Sequence, residues 1–143
     1  MSLPSHLDLE IVTPDRAVVH EEVDEVQLPG SEGYLGILPG HTPLLTTLRV
    51  GQLWYRKGTE KYYLSVAFGF AEILPDRVRL LAQIAERAEE IDVSRAEEHR
   101  RRAEAAIQAA RSANADIDLD RARISLMKAM VRLQVASKIR TRS

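Results

Sequence analysis

The chain has 143 residues, no cysteine and a formal net charge of −1. A chain of this length buries roughly two-thirds of its unfolded surface in one or two small domains, which excludes a large multidomain enzyme. The lack of cysteine excludes a disulfide framework and thiolate metal sites, and no stretch reaches the ~20 apolar residues of a membrane-spanning helix, so a soluble chain in a reducing cytosol, not exported, is expected.

The net charge conceals an asymmetry: residues 1–90 carry 14 acidic and 8 basic side chains, net −6, and residues 91–143 carry 7 and 12, net +5. A basic half invites a nucleic-acid reading, but its charges alternate with Glu and Ala and no aromatic stands among them to stack a base, so no nucleic-acid partner is expected.

From His6 to about Ala85 the apolar period is close to two. Leu7, Leu9 and Ile11 alternate with Asp8 and Glu10, and Val26 and Leu28 with Glu25 and Gln27, the signature of half-buried strands. Turn chemistry interrupts them at Thr13-Pro14-Asp15, Pro29 to Gly33, Leu38-Pro39-Gly40, Lys57-Gly58 and Pro75-Asp76. Short strands at such intervals predict a sandwich or barrel. Tyr62 to Leu74, the Pro75-Asp76 turn and Val78 to Ile84 read as a hairpin, with Val66, Phe68, Phe70 and Ile73 among its apolar residues.

After Ile91 the period becomes helical, without Pro or Gly. Asp92 is a plausible N-cap, and Ala96, Ala103, Ile107 and Ala110 form the apolar stripe of a first helix. A break at Ser112 to Asp116 leads to a second cap at Asp118 and a second helix with Leu119, Ala122, Leu126, Ala129 and Leu133 on one stripe. The short linkage favours an antiparallel hairpin. The second helix carries another apolar face, Ile124, Met127, Val131 and Val135, nearly opposite the first at about 100° per residue. An Ala-rich partner contributes about 0.8 kcal/mol per methyl group against 1.5 to 3 for a Leu, so the hairpin is expected to dock elsewhere and to move as an arm. The expected fold is thus β + α: an N-terminal antiparallel β-sandwich over residues 1–87, then a C-terminal antiparallel two-helix hairpin over 88–143.

Little in the chain points to chemistry. His6, His20, His41 and His99 make no HxH or HxxxH pair, so no metal site is expected, and there is no GxSxG elbow, Walker-type loop or GxGxxG turn. Glu21-Glu22 and Glu89-Glu90 read as solvated edges. No catalytic residue is assigned and the chain is not expected to be an enzyme.

The segment Gly30 to Leu48, GSEGYLGILPGHTPLLTTL, holds more Gly and Pro than a connector needs, and by itself reads as a pair of tight turns. It closely resembles the signature of bacterial F-type ATP synthase epsilon subunits. The resemblance continues through the Leu64 to Leu81 hairpin, Ile91 to Ala96, Asp116 to Asp118 and Ala129 to Leu133. It implies a non-catalytic central-stalk rotor subunit that couples c-ring rotation to ATP synthesis, with the gamma subunit, the c-ring and the alpha/beta hexamer as partners. The location implied is the cytoplasmic face of the bacterial cell membrane, with membrane association only through the complex.

The same resemblance places Ser31, Glu32, Gly33 and His41 on turns facing the c-ring, where a purely structural role for the glycines is equally available. It implies that the extended helices inhibit ATP hydrolysis, with Arg121, Arg123, Lys128 and Arg132 meeting an acidic segment of beta; otherwise these residues solvate helix faces. No cofactor is required, but ATP is implied as a regulatory ligand. The I-D-x-x-R-A motif stands at Ile91 to Ala96, and Glu86, Asp92, Arg95, Arg102, Lys128 and Arg132 are the candidate ATP-binding residues. Lys128 departs from the Arg of tight-binding members and lacks its planar fork. An alternative is a free-standing small-molecule binding module with the hairpin as a ligand-gated lid.

Overall fold

The computed structural model describes residues 3–142, with side chains through residue 139. Its chain divides into two compact units, Met1–Arg87 and Ala88–Ser143, of which Met1, Ser2 and Ser143 lie outside the described residues.

The first unit holds eight strands: β1 Leu7–Val12, β2 Ala17–Val23, β3 Glu25–Gly30, β4 Gly33–Ile37, β5 Leu44–Thr47, β6 Gly51–Lys57, β7 Glu60–Leu74 and β8 Arg77–Arg87. The hydrogen-bonded order is β2-β1-β8-β7-β6-β3-β4, with β5 added beside β7. Every ladder is antiparallel except β1 with β8, which is parallel, Leu9 opposite Val78 and Ile11 opposite Leu80. That departure from an all-antiparallel sheet joins strands 70 residues apart, and no local pattern announces it.

β7 and β8 build the sandwich because they serve both layers. The first part of β7 pairs with β6 and the last part with β5, while β8 follows it from Leu64↔Arg87 to Leu74↔Arg77. Leu64 and Val66 are buried, and beyond the turn of the strand it is Ala71 and Ile73; on β8, Val78, Leu80 and Ala82 give way to Ala85. The inward face therefore changes phase by one residue along both strands. Phe68 and Gly69 make the change with φ of +60° and +106°. Gly69 is required there, because a Cβ would lie 2.0 Å from the Leu81 carbonyl oxygen. Inside lie Leu7, Leu9, Ile11, Val19, Val23, Val26, Leu28, Leu53, Tyr55 and their neighbours, all buried, so the alternation of β1 and β3 is realised as read.

The phase change divides the hairpin's apolar residues between the inner and outer faces. Of the hairpin's four apolar residues, Val66 and Ile73 are buried, Phe68 is half-buried and Phe70 is 46% exposed, opposite Leu81 at 42%. With Leu45 of β5, 68% exposed, they give the outer surface of the paired strands β5, β7 and β8 an apolar band.

The second unit begins with a 3-10 turn, Ala88–Glu90, followed by α1 Val93–Ala113 and α2 Asp116–Arg142. Asp92 caps α1 as expected: its carboxylate accepts from the Arg95 backbone N–H at 3.1 Å. Asn114, with φ +56°, closes α1 by a left-handed turn, its N–H donating to Ala110 and Arg111 carbonyls. α2 starts earlier than the sequence suggested. The Leu119 N–H donates to the Ala115 carbonyl at 3.0 Å, so Asp118 lies inside the first turn rather than at the cap, where its charge still complements the helix dipole. Ala96, Ala103, Ile107 and Ala110 of α1 and Ala122 and Ala129 of α2 are buried, whereas Ile124 and Met127 are 40% and 43% exposed. The second apolar face of α2 is buried only at Val135.

Candidate functional site

The Ser31-Glu32 turn joins β3 to β4 between the paired residues Gly30 and Gly33. Gly33, just after the turn, has φ +128°, a conformation glycine adopts freely and a side chain would resist. Ser31 and Glu32 are exposed, and the Ser31 hydroxyl lies 3.4 Å from that of Thr46 on β5. His41 follows the other end of β4. Its N–H donates to the Leu38 carbonyl and its Nδ1 lies 2.6 Å from the Thr42 carbonyl. Five residues of strand, about 15 Å, separate the two turns, so Ser31, Glu32 and Gly33 form one group and His41 stands apart.

In the second unit the hairpin does assemble cations. Arg132 of α2 places Nη1 3.5 Å from Nδ1 of His99 on α1. His99 lies one turn from both Arg95 and Arg102 along one flank of α1, and Lys128 lies one turn from Arg132. Four of the six candidate ATP-binding residues thus share one side of the hairpin. Arg102 is paired with Glu98, and Lys128 and Arg132 are half-buried. Asp92 sits at the start of α1 with one carboxylate oxygen engaged as the cap. Glu86 belongs to β8 of the first unit and is half-buried. Of the four basic residues assigned to inhibition, Arg121, Lys128 and Arg132 fall within about 40° of one another around α2, while Arg123 lies about 160° away. Arg121 and Arg123 are exposed. Among the described residues no group of three or more His, Asp or Glu side chains is arranged to hold a metal ion, and no helix is long and apolar enough to cross a membrane.

Sequence reasoning missed one polar cluster altogether. Glu21 on β2 faces inward, opposite the buried Leu9 of β1, and its carboxylate accepts from the Tyr55 hydroxyl at 2.6 Å and from Lys57 Nζ at 3.3 Å. Arg87, the last residue of β8, donates from Nε and Nη2 to the Val18 carbonyl at 3.2 and 3.1 Å and from Nη1 to the Tyr55 oxygen at 3.1 Å. The Tyr55 bond, with help from Lys57 and Arg87, holds the Glu21 carboxyl below its usual range against the opposing effect of burial. Burial, then the Glu21 carboxylate, pushes the Tyr55 phenol up to about 12. The only available signal was an Arg ending a strand with an inward register.

Comparison with known proteins matches both units. The family model of the ATP synthase delta/epsilon chain beta-sandwich domain matches residues 6–88, and that of the delta/epsilon chain long alpha-helix domain matches residues 89–137. The chain is 48% identical to the ATP synthase epsilon chain 2 of Syntrophotalea carbinolica over 132 residues, covering 92% of this chain and 94% of that one. It is 51% identical to the ATP synthase epsilon chain of Herpetosiphon aurantiacus over 136 residues, covering 95% and 98%. Its fold resembles a chain in the Euglena gracilis mitochondrial ATP synthase with a TM-score of 0.70, at 21% identity over 99% of this chain and 84% of that one.

Proposed function

The chain belongs to the ATP synthase delta/epsilon chain family, and from that premise we propose that it is a non-catalytic central-stalk subunit of an F-type ATP synthase that couples rotation to synthesis and restrains hydrolysis through its helices. The observation that carries the reading is the match of one family to both units, sandwich and helical hairpin, across nearly the whole chain. The free-standing ligand-gated module draws no support from relatives that are ATP synthase epsilon chains over more than nine-tenths of this length.

The sandwich is the unit that meets the rest of the rotor. Its exposed, polar Ser31-Glu32-Gly33 turn suits the polar loops of a c-ring, and the band of Leu45, Phe70 and Leu81 suits the gamma subunit. His41, at the far end of β4, belongs to a separate contact. A Phe70→Ser, Leu81→Ser double variant that folds and still co-purifies with gamma at wild-type yield would refute the gamma assignment. The chain sits at the cytoplasmic face of the bacterial membrane through the complex alone.

The hairpin is the regulatory unit. Arg121, Lys128 and Arg132 on one side of α2 give an extended arm a basic stripe for an acidic segment of beta, with Arg123 contributing from the opposite flank. In the compact hairpin, the grouping of Arg95, Arg102, Lys128 and Arg132 suits the phosphates of ATP, with Asp92 accepting from the base or ribose.

The deciding experiment measures ATP hydrolysis by the reconstituted complex with the full chain and with a chain ending at Glu90, over a range of ATP concentrations. Higher activity with the shorter chain is expected, and ATP should relieve the full chain's inhibition. Equal activity would sink the inhibitory reading.

A further inference from the structure

We propose that Arg87 is a latch that closes the open rim of the sandwich and so makes the Ala88–Ile91 turn, rather than the end of β8, the pivot of the helical unit. The inference rests on the reading of that unit as a moving arm, but its structural half stands on the first unit alone.

β2 is an edge strand whose one ladder is with β1. At its start, the two layers are joined across the rim by side chains. Arg87 and Tyr55 come from the layer of β6 and from the final residues of β8, and the Val18 carbonyl and Glu21 from the facing layer. Arg87 stands opposite Leu64 in the last pair of the β7–β8 ladder. A strand end normally frays, because its last pairs have neighbours on one side only. Here the guanidinium fork fixes the final residue by charge-assisted bonds to a backbone carbonyl and to the hydroxyl of a fully buried tyrosine. One residue later the chain leaves the strand. Ala88 opens the 3-10 turn, Ile91 donates to the Ala88 carbonyl at 3.3 Å, and Asp92 caps α1. The division between the two compact units falls between Arg87 and Ala88. A force on the helices therefore meets a pinned strand at Arg87 and a short turn beyond it.

Hydrogen exchange of the full chain, followed by peptide mass spectrometry, tests the assignment in wild type, Arg87→Met, Arg87→Lys and Tyr55→Phe. In wild type, peptides covering residues 84–87 should exchange as slowly as the middle of β8, with the fast boundary starting at residue 88. Arg87→Met should speed exchange at 84–87 and at 18–20 by tenfold or more and leave residues 78–81 and α1 unchanged. Arg87→Lys, which keeps the charge and loses the fork, should behave like Met. Tyr55→Phe, which keeps the ring and the Val18 bonds, should give a smaller acceleration at the same places. Unchanged exchange at 84–87 in Arg87→Met would overturn the latch, and so would acceleration spread evenly over both units. Failure of the moving-arm reading looks different: residues 88–91 would exchange as slowly in wild type as the elements on either side, whatever Arg87→Met does to β8.

Discussion

The Tyr55 hydroxyl donates to Glu21 at 2.6 Å from a ring with no exposed surface, joining the two layers of the sandwich. The pairing fixes how stability should depend on pH. The folded pKa of Glu21 lies below its unfolded value, so its contribution is present above pH ~4.3 and lost as pH falls through the lower folded value. The phenol runs the other way. Its folded pKa, raised to about 12, gives stability that is full below the unfolded value near 10 and lost as pH rises from there through the folded value. Tyr55→Phe should cost about 1–2 kcal/mol at neutral pH, and its deficit relative to wild type should narrow between pH 10 and 12. Urea denaturation at pH 7, 9 and 11 checks this, and a deficit that grows with pH would contradict it.

Phe68 holds φ +60° in the middle of a strand, a conformation a bulky residue adopts only when its surroundings force it. Alanine there would keep the backbone cost and lose the ring, whereas glycine would lose both. Phe68→Gly should therefore be more stable than Phe68→Ala by about 1 kcal/mol, the reverse of the order at ordinary strand positions, where glycine is worse by roughly 0.5–1 kcal/mol. The comparison isolates the strain, because both variants remove the ring and differ only in the Cβ that the positive φ disfavours. Alanine equal to or better than glycine in denaturant melts would show that the position is unstrained.

Gly69 is the other half of the same bend. A methyl group there meets the Leu81 carbonyl oxygen at 2.0 Å and the Ala82 Cα at 2.9 Å, and backbone cannot move aside as a flexible side chain can. Gly69→Ala should cost more than about 3 kcal/mol and lower the melting temperature by well over 10 °C. A loss under 1 kcal/mol would mean that β7 and β8 bend by some other route.

This bend also marks the limit of what the residue pattern disclosed. Leu7, Leu9 and Ile11 alternate strictly with charged residues, so β1 could be read directly, and the Ala and Ile stripe of α1 was equally legible. Ala67-Phe68-Gly69-Phe70-Ala71 fits either phase of a strand, and only the isolated glycine hinted at a change. Phe70, apolar like its neighbours, stands 46% exposed on the outer side of the bend. The Arg87 cluster was out of reach for another reason: Arg87 is 69 residues from Val18 and 32 from Tyr55, and no local period encodes such a meeting. Arg95 and Arg102 were placed together by helical spacing, but the meeting of Arg132 with His99, which lies between them on α1, depended on the position of the Asn114 turn, which sets the register of the hairpin.

Asp92 has two roles assigned to it, and isosteric replacement separates them. As a cap it needs only an acceptor oxygen for the Arg95 N–H, which asparagine supplies as well as aspartate. Asp92→Ala should destabilise α1 by about 1 kcal/mol, and Asp92→Asn should be nearly neutral in the absence of nucleotide. If the carboxylate also accepts from ATP, Asp92→Asn should weaken binding in a titration while leaving helicity by circular dichroism unchanged. Equal ATP affinity in wild type and Asp92→Asn would confine Asp92 to capping.

Lys128 offers the sharpest test of the nucleotide reading, because the change proposed is a gain. Its ammonium is a single point of charge, half-buried beside a helix that carries Arg95 and Arg102, and one turn from Arg132. A guanidinium in its place could hold a phosphate by two parallel hydrogen bonds. One added charge-assisted bond of about 1.4 kcal/mol corresponds to tenfold in affinity, so Lys128→Arg should tighten ATP binding by roughly that factor. The thermal stability of the nucleotide-free chain should hardly change, since the substitution keeps the charge and most of the stem. Isothermal titration of both chains gives the answer. Tenfold tighter binding in the variant would assign the phosphates to this side of the hairpin. Measurable but equal binding would move them elsewhere, and no heat from either chain at millimolar ATP would remove ATP as a ligand and leave the cations to the acidic segment of beta.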